Sequence, residues 1–184
     1  VNMRSHGHGQ GYTDINFLIP ETIASVSFVK GPYHAELGDF SSAGGAHIRT
    51  FERMPNNQVR AEFGEYGYQR LLLLGATDVA GGYLSGAMEG QSYDGPWDNV
   101  DEDVEKVNGL LRYVGGTEES RWFATAMYYD NRWNSADQIP ERAVKRGIIS
   151  AFGSIDNTLG GTSSRYSLSG GWTGQIGALD TEVT

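Results

Sequence analysis

Residues 58–65 read "QVRAEFGE". Val59, Ala61 and Phe63 alternate there with Gln58, Arg60, Glu62 and Gly64, the two-residue period of a β-strand with one apolar and one polar face. The alternation returns in 164–174, where Tyr166, Leu168, Gly170 and Trp172 oppose Arg165, Ser167, Ser169 and Gly171. Runs bounded by turn residues predict strands at 58–65, 68–77, 82–93, 106–115, 120–133, 164–174 and 178–184, with no helical period in that half of the chain. The run "RLLLL" in 68–77 is apolar on both faces, and in 120–133 alternation alone does not assign them.

The connections alternate in length as well. "DVAGG", "TEES" and "QIGAL" are short, whereas "DGPWDNVDEDVE" and "NRWNSADQIPERAVKRGIISAFGSIDNTLGGTSS" are long. Short turns at one end and long loops at the other describe an antiparallel up-and-down meander. A soluble β-sandwich is the competing reading, but sandwich strands average about five or six residues. Several here run to ten or more. Tyr93, Trp97, Tyr128, Tyr129, Trp133 and Trp172 also fall near strand ends, where an interfacial belt would place them.

The 184 residues hold 26 glycines but only 5 prolines. Excess glycine without proline suits turns, bulges and flat strands better than a disordered linker. The absence of cysteine excludes disulfides and thiolate metal sites. A net charge of -9 disfavours nucleic acid, whose phosphates need clustered Lys and Arg. No apolar run is long enough for a transmembrane helix, so any membrane crossing would be made by strands. The chain opens at Val1 and stops within the alternating run "LDTEVT", which predicts a fragment at both ends.

Residues 1–53 form a different region, a small α+β unit, followed by the β meander from 54 to 184. The polar stretch "SHGHGQGYTD" leads into "INFLIPETIASVSFVKGP", where Pro20 stands at a helix start and predicts a single helical turn over 20–25. "SVSFVK" and "GAHIRTF" then read as short strands.

Candidate chemistry is sparse. His6 and His8 are two apart and would point the same way on an extended chain, yet no further ligand completes a metal site. His34 and His47 are isolated. Asp39 beside Ser41 and Ser42 lacks a nucleophile elbow or a base, so no catalytic residue and no cofactor are expected. The glycine-rich stretch 159–164 lacks the Lys-Ser/Thr ending of a phosphate loop and reads as a loop hinge. The acidic run "DNVDEDVE" lacks the spacing of a helix–loop–helix calcium site and reads as a solvated loop.

The stretch "DINFLIPETIASVSFVKGPYHAELGDFSSAGGAHIRT" resembles the C-terminal half of the plug domain of TonB-dependent outer-membrane receptors. Ile19, Pro20, Ile23, Val26, Lys30, Gly31, Pro32, Gly38, Ala43, Gly44 and Ile48 fall on the family's motif, with Gly45 beside it and Lys30 where arginine is more usual. Downstream, "YDGPW", "RWNSADQIPERAV" and "RYSLSGGW" are similar to the family's first barrel strands. The resemblance implies a mostly β chain, part of a plug and the first seven or so strands of a 22-stranded transmembrane barrel.

It further implies an active transporter in the outer membrane of a Gram-negative bacterium, without covalent chemistry. Its partners would be TonB, acting through a preceding segment, the outer-membrane lipid, and a small ligand such as a siderophore, metal complex, cobalamin or oligosaccharide. Arg60 and Glu62 would make plug–barrel contacts. Either His6, His8, Gln10 and Tyr12 or the tip from Tyr33 to Phe40 would face the ligand. The rival is a soluble secreted β-domain that binds carbohydrate through Trp97, Trp133 and Trp172.

Overall fold

The computed structural model describes residues 14–38 and 41–184. The chain is mostly β, 56% strand against 7% helix, and both of its sheets are antiparallel. The described residues divide into two compact units, one ending at Glu52 and the other running from Arg53 to Thr184.

In the first unit a 3₁₀ turn, Pro20–Thr22, leads directly into β1 (Ile23–Lys30), which pairs with β2 (Gly44–Thr50). Proline at the first helical position sets φ without losing a needed N–H. The buried Thr22 hydroxyl donates to the Ile19 carbonyl at 2.7 Å. The turn is shorter than the expected 20–25, because from Ile23 onward the β-branched backbone is taken into pairing with β2. Val26 faces Ile48 and Phe28 faces Ala46 on one side of this ladder, while Ser25 and Ser27 face Arg49 and His47 on the other. Gly44 has φ +122°, and a β-carbon there would collide with the Val29 carbonyl oxygen. Only glycine fits that entry to β2.

The second unit is a single sheet of seven strands, each paired with the next in the chain. They are β3 (Gln58–Phe63), β4 (Gln69–Val79), β5 (Gly82–Tyr93), β6 (Val104–Gly116), β7 (Ser120–Asn134), β8 (Gly160–Ile176) and β9 (Leu179–Val183). Residues 80–81, 117–119 and 177–178 make tight turns at one end. The loops 64–68, 94–103 and 135–159 lie at the other.

β8 begins at Gly160, so 160–164 belongs to a strand and not to a loop hinge. Small residues can extend this ladder because Gly161 lies beneath the Trp133 ring, where a β-carbon would not fit. Inside the last loop is a helix, α1 (Glu141–Lys145), which strand patterning does not predict. Five residues are too few to display a helical period. The helix starts after Pro140, carries a Glu141–Lys145 pair at 2.6 Å and ends in a Schellman motif: Ile148 N–H bonds Ala143 O and Gly147 N–H bonds Val144 O.

Continuous register settles the faces that alternation left open. Leu72 and Leu74 share a face with Arg60, Glu89, Asn108 and Tyr129, whereas Leu71 and Leu73 share the opposite face with Val59, Met88, Gly109 and Tyr128. The first face holds the sheet's buried residues, among them Leu72, Ala87, Glu89, Asn108, Leu110 and Tyr129. The second holds fifteen exposed large apolar residues, from Val59 and Phe63 to Leu179 and Val183. Its aromatics cluster at two levels: Trp122 with Tyr113 and Trp172 near the tight turns, and Tyr128 against Tyr166 toward the loops. Of the six aromatics expected in an interfacial belt, only Tyr128 and Trp172 lie here. Tyr93, Tyr129 and Trp133 have the opposite parity and occupy the polar face, and Trp97 is in a loop.

The two-residue turn between β4 and β5 puts both residues at positive φ, Ala80 at 49° and Gly81 at 74°. A left-handed backbone strains alanine, and asparagine tolerates it better. Ala80→Asn is expected to raise unfolding stability by about 1 kcal/mol. A rise in denaturant midpoint checks this; an unchanged or lower midpoint refutes it.

Candidate functional site

The polar face of the large sheet is zoned. At its centre the row Leu74, Ala87, Leu110 and Met127 forms an apolar plate. Toward the loops, two adjacent cross-strand rows form a charged belt. One runs Glu62, Arg70, Gln91, Lys106, Asn131, Ser163, and the next Arg60, Leu72, Glu89, Asn108, Tyr129, Arg165.

Glu89 is the hub of this belt, with only 1% of its surface exposed. Arg70 Nε donates to one carboxylate oxygen at 2.6 Å, while Lys106 Nζ at 2.9 Å and Asn108 Nδ2 at 3.1 Å serve the other. Arg70 also reaches Glu62 at 3.3 Å, and Glu62 accepts from the Tyr68 hydroxyl at 3.3 Å and lies 3.5 Å from Arg60. A carboxylate this deep costs several kcal/mol in lost hydration unless it is paired and hydrogen-bonded, and here two cations and an amide meet it. Arg60 and Glu62 thus belong to a network centred on Arg70 and Glu89. Sequence reading missed both of those residues, since their charges and partners meet only once the register from β3 to β6 is known.

At the tight-turn end a second group fastens the entry to the sheet. Arg53 binds Asp78 through both terminal nitrogens, at 2.7 and 3.0 Å, and its guanidinium lies 5.3 Å from the Tyr83 ring centroid. The tyrosine hydroxyl also accepts from Arg121 at 3.0 Å. The backbone N–H of buried Met54 donates to Ser85 Oγ at 2.9 Å.

Above the belt, the two longest loops are clasped together. Asn99 and Asn157 exchange side-chain and backbone bonds, and Ser154 N–H donates to Asn99 Oδ1 at 2.8 Å. Asp137 Oδ1 accepts from Ser154 Oγ at 2.7 Å and from Ile155 N–H at 2.8 Å. Those bonds, the serine hydroxyl first and the Ile155 amide next, hold the Asp137 carboxyl below its ordinary range. Trp97 donates from its indole N–H to Glu102 at 2.6 Å and lies against Phe152, ring centroids 6.2 Å apart.

The remaining sequence-predicted residues are dispersed. His6, His8, Gln10, Tyr12 and Phe40 lie outside the described residues. Tyr33 is 86% exposed, with its ring over Gly31. Lys30 ends β1, Pro32 follows the turn, and Gly31 and Gly38 have φ of 86° and 74°. Gly45 gives room to the Leu37 side chain, 3.1 Å from where a β-carbon would sit. Trp133 and Trp172 are on opposite faces at opposite ends of the β7–β8 pair and Trp97 is in a loop, so the three form no shared platform. Among the described residues no group of three or more His, Asp or Glu is placed to hold a metal ion. No protein-family model, curated protein or solved structure matches the chain.

Two outcomes follow from these geometries. Glu89→Ala leaves Arg70 and Lys106 buried side by side without their shared anion, and is expected to cost about 3–5 kcal/mol in denaturant unfolding; a loss below about 1 kcal/mol contradicts the hub role. For Asp137, the depressed folded pKa means that its stabilisation is complete above the unfolded value of about 3.9 and is lost as pH falls through the lower folded value. An NMR titration of the Ile155 amide should therefore show its transition on the acid side of a free aspartate. Asp137→Asn should remove that transition, and a midpoint at the free-aspartate value would contradict the assignment.

Proposed function

We propose that the chain is part of an outer-membrane β-barrel transporter of the TonB-dependent kind. Residues 53–184 supply the first strands of the barrel wall, and residues 1–52 supply the C-terminal part of a plug. The observation that carries this reading is the inverted sheet, whose exposed face is apolar and whose buried face is charged. A soluble monomer rarely leaves so large an apolar surface in water, whereas hydrocarbon accepts it at no cost.

Strand length supports the same reading. β4 to β8 run from 11 to 17 residues, enough for the roughly 9–11 that a tilted strand needs to cross a bilayer. The two aromatic levels, Trp122 and Tyr128, are six residues or about 20 Å of strand apart, on the order of an outward apolar band. Alternation of tight turns with long loops matches periplasmic and extracellular ends. Lipid leaves no water for the edges of β3 and β9, so in this reading further strands of the same protein complete the barrel.

The polar face then lines a wet lumen, and its Glu89 belt is a fixed polar wall below the loops. Transport itself is binding followed by a mechanically driven rearrangement of the plug, with energy passed from TonB through a segment ahead of it. The ligand is a small molecule captured from outside, and no bond is made or broken.

The chain contains no cysteine, which gives a clean background for labelling. Single cysteines along β8 in outer-membrane fractions should react alternately with a membrane-impermeant maleimide. Ser167→Cys and Ser169→Cys are expected to label in intact membranes, and Tyr166→Cys and Leu168→Cys only after detergent. Uniform labelling of all four, or recovery of the protein in the soluble fraction, would overturn the proposal.

A further inference from the structure

The clasped loops combine two properties. Residues 94–103 contain five acids and no base, and 135–159 contain Asp137, Glu141 and Asp156 against Arg142, Lys145 and Arg146. These 35 residues therefore carry a net charge of -5 in a chain whose total is -9. On the same loops Ile148, Phe152 and Ile155 stand 72%, 52% and 64% exposed, with Phe152 against the Trp97 ring. The hydrogen bonds joining Asn99 and Asp98 to Ser154, Asn157 and Phe152 fix the two loops against each other, so charge and apolar surface are presented together.

We propose that this loop surface docks a basic, amphipathic polypeptide segment. Burying Ile148, Phe152 and Ile155 is favourable at about 25 cal/mol per Å² of apolar surface, but only for a partner that tolerates the surrounding carboxylates. An anionic partner would be repelled, and a neutral apolar one would strip water from acids without replacing it. A partner with lysines or arginines beside its apolar side chains meets both demands, and the loop field speeds its approach. Five acids lie along 94–103, while the three on 135–159 are matched by Arg142, Lys145 and Arg146, so the net charge is strung out along the first loop, where one small cation would answer only a few of its carboxylates. A segment bearing several cations along one side answers the set, with its other side on Phe152 and Ile155.

This inference is independent of the membrane reading, since the two loops keep their chemistry whatever solvent the sheet occupies. The test titrates the protein with an amphipathic Leu/Lys peptide and with its Leu/Glu counterpart, in nanodiscs of zwitterionic phosphatidylcholine against empty nanodiscs where the protein fractionates with membranes, and in buffer where it is recovered soluble. The Lys peptide should bind at least about tenfold more tightly than the Glu peptide, and its affinity should fall as salt screens the acids. Phe152→Ser with Ile155→Ser should weaken binding about tenfold or more. Asp98→Asn with Asp101→Asn, both exposed side chains, should weaken it and flatten the salt dependence. Should the apolar variant fail to fold, the charge variant decides alone. Equal binding of the two peptides, equal binding to empty nanodiscs, or an affinity indifferent to the variants overturns the proposal. Failed peptide binding with alternating cysteine labelling intact overturns this inference only, and the converse pattern overturns only the transporter reading.

Discussion

An antiparallel ladder allows each strand two faces and one register, and here a single register runs unbroken from β3 to β9. Every side chain's side of the sheet is therefore set by parity counted from its neighbour, and a slip of one residue would exchange the faces. The separation of Val59, Leu71, Met88, Leu111 and Leu168 from Arg60, Arg70, Glu89, Arg112 and Arg165 depends on that constraint alone. So does the meeting of Glu62, Arg70, Glu89 and Lys106, which come from four different strands.

The two faces solve opposite solvation problems. On the apolar face few side chains need a polar partner: Arg132 pairs with Glu105 at 2.6 Å at the loop end and the Trp172 indole donates to Ser120 Oγ at 3.0 Å at the turn end, while between them Gly86, Gly109 and Ala126 sit beside Leu84, Met88 and Tyr128. On the polar face each charge needs an answer, and Glu89 obtains three donors because its row and the next place cations within reach. Such a network adds little net stability over an apolar core, but it penalises any arrangement that separates its members. Register specificity and charge pairing thus reinforce each other: the ladder assembles the belt, and the belt disfavours a shifted ladder.

Much of this architecture is legible in the sequence, since 58–65 and 164–174 announce their period directly and the turn residues mark the tight end. What escaped has physical causes. The "RLLLL" run has no polar side to read, so Leu72 and Leu74 are separated from Leu71 and Leu73 only by pairing with β3 and β5. The aromatic belt was misjudged because proximity to a strand end says nothing of parity: Tyr129 and Trp133 point opposite to Tyr128. α1 is a single capped turn, and the stretch from Gly160 becomes strand because Trp133 covers Gly161. The Glu89 hub needs three strands in register before its charges are neighbours, which no local window contains.

The contrast between the two ends of the sheet also bears on how the chain finds its fold. Closing the two-residue turn at Ala80–Gly81 costs about 2 kcal/mol less loop entropy than closing the 25 residues of 135–159. The hairpins β4–β5, β6–β7 and β8–β9 are therefore the local units, and joining them across the long loops is the slow, entropically uphill part of assembly. The clasp of Asn99 with Ser154 and Asn157 offsets part of that cost, since those hydrogen bonds join the two long loops and form only when β6 and β7–β8 are already side by side. It acts as the fastening that makes the last joining step hard to reverse.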